Sequence, residues 1–239
     1  NDPDTLNAMS EKMAVEFSAL IKKLKNDSSD LRAIIITGAG RAFSAGGDLE
    51  MLQKKTTLKG EENRLKMLEF YDSFLSIRDL GIPLIAAING HAVGAGLCLA
   101  SACDIRIAHE NAKLGVTFTK LGLHPGMGGT YFIPKLVGTS AAIDLMITGR
   151  MLTADEGLRL GLVSEVTKDD VVQKATEKAD QILECGPEAV RQVLETLRNG
   201  QKDLKTALAR EAMCQAVNYA SSEYAEGVKA IREKRKANF

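Results

Sequence analysis

Apolar residues recur at three- and four-residue steps over residues 4–24, through Leu6, Met9, Met13, Phe17, Leu20 and Leu24, which predicts an amphipathic helix. A break is expected over 26–30. Residues 31–37, LRAIIIT, then form a β-branched run that predicts a buried strand, followed by the glycine-rich loop GAGRAFSAGGD at 38–48. Helical spacing returns over 65–80 through Leu68, Tyr71, Phe74, Leu75 and Leu80, closed by Gly81 and Pro83. Five consecutive apolar residues at 84–88 predict a second buried strand. Directly behind it lies NGHAVGAGLCLASACD at 89–104, whose glycines at 90, 94 and 96 let the backbone turn sharply into a short helix near Ala95. The unpaired N–H groups and positive dipole end of such a helix suit it to hold a negative oxygen.

Short strands are expected at 104–108 and 113–116 around a turn at 109–111, and a second glycine-rich loop, GLHPGMGG at 122–129, feeds a helix through Val137. Helices follow over 140–148 and 153–160, the latter opened by a capping box of Thr153 and Glu156, and a strand over 162–166. From 169 onward four helical segments dominate, 170–184, 187–199, 203–219 and 222–236, with breaks at Gly186-Pro187 and Gly200. No tandem repeat of fixed period occurs. Alternating strands and helices ahead of an all-helical tail give an α/β core over 1–168 and a C-terminal helical region over 169–239.

Composition narrows the functional classes. With 239 residues, 45% hydrophobic and 26% charged, the chain can build one large domain with a helical appendage. Lys plus Arg equals Asp plus Glu at 31 each, so no global field draws it to nucleic acid or an anionic membrane. No apolar stretch approaches the roughly 20 residues of a membrane-spanning helix, and no signal peptide opens the sequence. It starts at Asn1 rather than Met, so further residues are expected upstream. Cys98, Cys103, Cys185 and Cys214 have no framework spacing and read as buried thiols of a reducing compartment, cytoplasm or mitochondrial matrix. The histidines and cysteines form no recognised ligand pairs, so no metal is expected. Phe43 stands where a dinucleotide fingerprint needs glycine, and no Gly-Lys-Ser/Thr phosphate loop occurs. Phe239 ends the chain without a Ser-Lys-Leu address.

The segments FSAGGDL at 43–49, PLIAAINGHAVGAG at 83–96, ACDIRIA at 102–108, PGMGGT at 125–130, GLV at 161–163 and EGVKAIREKRKANF at 226–239, taken in order, resemble the crotonase (enoyl-CoA hydratase/isomerase) superfamily. The resemblance implies a spiral of β-β-α turns with a C-terminal helical region that forms trimers or dimers of trimers. It implies an acyl-CoA thioester as substrate, with CoA entering as part of that substrate and no separate cofactor. The thioester oxygen would lie between the backbone N–H groups of Gly47 and Ala95, an oxyanion hole flanked by Asp48, Leu49 and Gly94. Arg41, the backbone at Ala45, and Lys234 would meet the CoA head, and Pro125 and Gly126 would border the acyl pocket.

One departure bears on the reaction. Hydratases of this family carry two glutamates, and the matching positions here hold Cys98 and Phe118. His124, just before Pro125, is the leading candidate for a replacement acid or base, because imidazole exchanges protons near neutral pH. His91 reads as a packing residue and His109 as part of a surface turn. Thr117, Thr119 and Tyr131 supply hydroxyls near the pocket walls but are poor bases. Asp48 and Asp104 read first as capping or turn-fixing residues, and no motif supports Glu50 or Glu110. Three functions follow: a hydratase/isomerase-type acyl-CoA enzyme, a decarboxylase or other lyase using the same oxyanion hole, and a non-catalytic acyl-CoA binding protein.

Overall fold

The computed structural model describes residues 1–27 and 30–239. The helix expected over 4–24 starts later. Leu6 and Asn7 adopt left-handed backbone (φ 57° and 56°), and α1 runs Glu11–Asn26 with Ser10 as N-cap, its hydroxyl accepting from Met13 N. Leu6 and Met9 keep helical spacing for another reason: their backbone bonds to residues 45–48 instead. The break expected over 26–30 includes residues 28 and 29, which lie outside the described residues.

The chain then alternates between two sheets. Strand β1 (Ile34–Thr37) is followed by β2 (Ala42–Ser44), and helices α2 (Leu49–Lys55) and α3 (Gly60–Leu75) lead to β3 (Leu84–Ile88) and β4 (His91–Val93). After α4 (Ala95–Ala102) come β5 (Ile105–His109) and β6 (Lys113–Gly115), then α5 (Gly129–Val137), α6 (Thr139–Thr148), β7 (Met151–Thr153), α7 (Ala154–Arg159) and β8 (Glu165–Thr167). One sheet has the order β1-β3-β5-β8, all parallel; the other is β2-β4-β6-β7, with β7 antiparallel to β6. Each of the first three turns of the chain thus adds one strand to each sheet, the β-β-α spiral of the crotonase fold.

Strand β3 is uninterruptedly apolar because it is central and covered on both faces. Leu84, Ala86 and Ile88 enter the main core, whereas Ile85 and Ala87 pack with Ile107 against Val171, Ala175 and Ala179 of α8 (Val171–Leu183). By contrast β1 lies at a sheet edge, so Ile34, Ile35 and Ile36 are half-buried rather than buried, and the strand is shorter than the expected 31–37. The last helices are α9 (Pro187–Asn199), α10 (Leu204–Tyr219) and α11 (Ser222–Glu233). The four elements that follow β8 are all helices, and the first of them, α8, covers the sheet. The capping box at Thr153 and Glu156 forms in both directions, opening α7.

Elements β2, α2 and β7 lie in stretches where no strand or helix was expected. The two strands have three residues each, too few for a period of two to show. The strand expected over 162–166 moves to Glu165–Thr167, since Leu162 and Val163 are buried in the turn ahead of it.

Candidate active site

Strands β2 and β4 are parallel neighbours, with Ala42 opposite His91 and Ser44 opposite Ala92, so the turns that leave them emerge side by side. Both turns need glycine. Gly46 has φ 96° and Gly94 φ 53°, a region that side chains disfavour, and a Cβ on Gly46 would lie 2.8 Å from the Val93 carbonyl oxygen and 3.5 Å from Ala95 N. The segment ahead of α1 fixes the first turn from outside. Met9 N donates to Gly46 O (2.7 Å), Asp48 N donates to Met9 O (3.2 Å), and Ala45 N donates to Leu6 O (2.9 Å).

This ladder steps over Gly47, whose N–H makes no hydrogen bond among the described residues. Ala95 is the first residue of α4, and its N–H is likewise unpaired among the described residues, as expected in a first helical turn. Two free donors at the tips of adjacent parallel strands can share one oxygen, and the α4 dipole adds to their pull on negative charge.

Both residues line one cavity of about 440 Å³. Leu49, Met51, Leu52, Met67, Phe70, Phe118, Leu121, Leu123 and Met127 make most of its wall apolar. Its titratable lining groups are Lys55, Tyr71 and His124; no carboxylate lines it among the described residues. The Lys55 ammonium is paired with Glu11 at 3.5 Å. His124 is exposed, and its Nδ1 lies 2.8 Å from Pro125 O. A carbonyl oxygen only accepts, so Nδ1 carries the proton and Nε2 of the neutral ring is an acceptor. Tyr71, on α3, has its phenol pushed above the ordinary tyrosine value by burial, with neighbouring Cys98 adding to the effect.

The cavity brings together Ala45, Gly47, Leu49, Gly94, Ala95, Phe118 and His124 of the expected site residues, and Thr117 with them. The others lie elsewhere. Asp48 caps α2, its carboxylate accepting from Met51 N at 2.8 Å. Cys98 is fully buried behind the wall; a Cβ on Gly129 would come within 2.8 Å of its sulfur, and burial pushes the thiol up to about 12. Pro125 borders a second, more open cavity that Leu123 and His124 also line. Gly126 packs against the Tyr71 hydroxyl, with no room for a Cβ. Arg41 is exposed outside the cavity, and exposed Lys234 ends α11 in left-handed backbone (φ 53°).

Several further expectations are corrected. Thr119 turns away, its hydroxyl donating to Met146 O at 2.7 Å, and exposed Tyr131 lies under the Lys135 ammonium. His91 is exposed rather than packed, its Nδ1 accepting from Lys113 N. Cys98 and Cys103 are buried thiols, but Cys185 is exposed and Cys214 half-buried. Asp104 does fix a turn, accepting from Leu84 N at 2.8 Å. No group of three or more metal-ligating side chains occurs among the described residues. Lys55, Asn63, Met67, Phe70 and Tyr71 line the cavity without having been singled out as site residues. A pattern did exist: Asn63, Met67, Phe70 and Tyr71 share one face of α3 at helical spacing.

A two-sheet β-β-α spiral with glycine turns opening onto one apolar cavity defines an α/β protein of the crotonase class. The profile of the enoyl-CoA hydratase/isomerase family matches residues 1–239, and the chain belongs to that family. It is 36% identical over 248 residues to a short-chain-enoyl-CoA hydratase of Clostridium acetobutylicum (99% of this chain, 90% of the relative). It is likewise 36% identical over 242 residues to a crotonyl-CoA hydratase of Syntrophomonas wolfei (100% and 92%). Among solved structures, an enoyl-CoA hydratase from Bacillus anthracis superimposes with a TM-score of 0.92 at 36% identity, over 100% of this chain and 92% of the other. Members of this family act on CoA thioesters.

Proposed function

We propose that the protein binds an acyl-CoA thioester with its carbonyl oxygen between the N–H groups of Gly47 and Ala95, and that it acts as a decarboxylating lyase. The observation that carries this reading is a cavity with two unpaired backbone donors and no carboxylate among its described lining residues. Adding water to a double bond needs a base to activate the water. Here Cys98 is buried with its thiol pushed up to about 12, and Phe118 presents a ring. Decarboxylation needs no base. The bond between Cα and the departing carboxylate breaks, its electron pair passes into the enolate, and carbon dioxide leaves. Charge then grows on the thioester oxygen, where one preorganised donor contributes about 3–4 kcal/mol.

A second reading, a binding protein without turnover, is favoured by the apolar Phe118. Incubation with methylmalonyl-CoA and crotonyl-CoA, with products read by mass spectrometry, separates the two. The lyase reading expects propionyl-CoA from the first; tight binding of both without product supports the second; hydration of crotonyl-CoA alone overturns the lyase. Exposed Leu204, Leu208, Met213 and Val217 on α10, a helix with no buried residue, support self-association through the helical region. A trimer or dimer of trimers is the assembly expected in light scattering.

A further inference from the structure

Loss of carbon dioxide leaves an enolate that must gain a proton at Cα, and the cavity offers few donors for it. Lys55 is held by Glu11, and His124 presents an acceptor nitrogen when neutral. Tyr71 differs from both. It lines the cavity, and its hydroxyl makes no hydrogen bond among the described residues.

Its seat is shaped on two sides. From the 125–128 turn, Gly126 meets the phenol oxygen so closely that any Cβ there would collide with it. From α4, Cys98 lies near enough to disfavour the phenolate further. The other ionisable groups lining the cavity are Lys55 of α2 and His124 of the loop. With burial as the larger cause, the phenol holds its proton through the neutral range and is therefore a donor rather than a base.

We infer that Tyr71 is the proton donor of this site, delivering its hydroxyl proton to Cα of the enolate held at Gly47 and Ala95. This rests on the decarboxylating reading above. The Tyr71 O–H bond breaks, a C–H bond forms with the enolate electron pair, and the thioester carbonyl is restored. The tyrosinate left behind regains a proton from solvent before the next turnover.

The test uses methylmalonyl-CoA in deuterated water, with wild type and Tyr71→Phe, which removes only the hydroxyl. Wild type is expected to yield propionyl-CoA carrying deuterium in a single configuration. Tyr71→Phe should bind propionyl-CoA within about threefold of wild type by calorimetry, confirming a folded site, while kcat falls about 10²-fold. Residual product should carry deuterium in both configurations, because the proton then comes from disordered water. A merely structural role would leave the configuration intact. Undiminished turnover with unchanged configuration in Tyr71→Phe overturns the assignment alone. A wild-type protein that binds propionyl-CoA but releases no carbon dioxide overturns the decarboxylase reading, and the Tyr71 role with it.

Discussion

Replacing Arg198 by Met should test how the C-terminal helices are fastened to the core. Arg198 on α9 meets Asp104 in two parallel bonds, Nε to Oδ1 at 2.9 Å and Nη2 to Oδ2 at 2.6 Å. Its remaining donors reach Arg78 O at 2.9 Å and Ile82 O at 3.0 Å. The two side chains are only 13% and 16% exposed, so solvent screens the pair weakly. Methionine keeps much of the volume but strands a mostly buried carboxylate with Leu84 N as its sole remaining donor among the described residues, along with two carbonyls. Breaking such a pair from one side costs about 3–5 kcal/mol. Asp104→Asn added to Arg198→Met removes the stranded charge and should restore more than about 1 kcal/mol of that loss. The assay is urea unfolding followed by circular dichroism at fixed protein concentration, with the midpoint compared at constant slope. A loss below about 1 kcal/mol for Arg198→Met would refute the reasoning.

Other consequences concern the site and the thiols. Ala95→Pro removes one N–H at a first helical position that tolerates proline, so turnover should fall about 10²–10³-fold while CoA-thioester binding persists; a loss below tenfold speaks against the donor role. His124→Ala should slow turnover less than about tenfold, because Tyr71 rather than the imidazole supplies the proton; a loss matching Tyr71→Phe contradicts that division. In native protein at pH 8, exposed Cys185 should react with a thiol reagent while Cys98 and Cys103, each pushed up to about 12 by burial, stay unlabelled; mass spectrometry reads the sites. The Glu226 carboxyl is held at about 2 by Arg235 and then by Asn238 N. Because this value is depressed, its contribution to stability is present above the ordinary carboxylate range and is lost as pH falls toward about 2; the Arg235 Nη–H signals in NMR should report that loss, since both Nη atoms donate to Glu226.

Elements long enough to show a period were legible in the sequence. The five-residue apolar run of β3, the Gly186-Pro187 and Gly200 breaks between the C-terminal helices and the Thr153–Glu156 capping box each carry their own local reason. Three-residue β2 and β7 do not, because so short a strand is defined by its partner. Helix α2 was missed although Asp48 signals its N-cap. The start of α1 was misplaced because Met9 bonds to Gly46, a contact between segments far apart along the chain.

At the site, sequence determined that two glycine turns exist and where they lie, since a backbone that needs left-handed φ writes glycine into the chain. It also determined that an uncharged Cys98 and an apolar Phe118 stand close to the second turn and the second loop. Only the tertiary structure decided that β2 and β4 are neighbours, so that Gly47 and Ala95 open onto one cavity. It likewise turned Cys98 away from the cavity and brought Tyr71 into it against Gly126. Spacing along a helix says which side chains share a face; what that face meets is set by strands and loops packed from elsewhere in the chain.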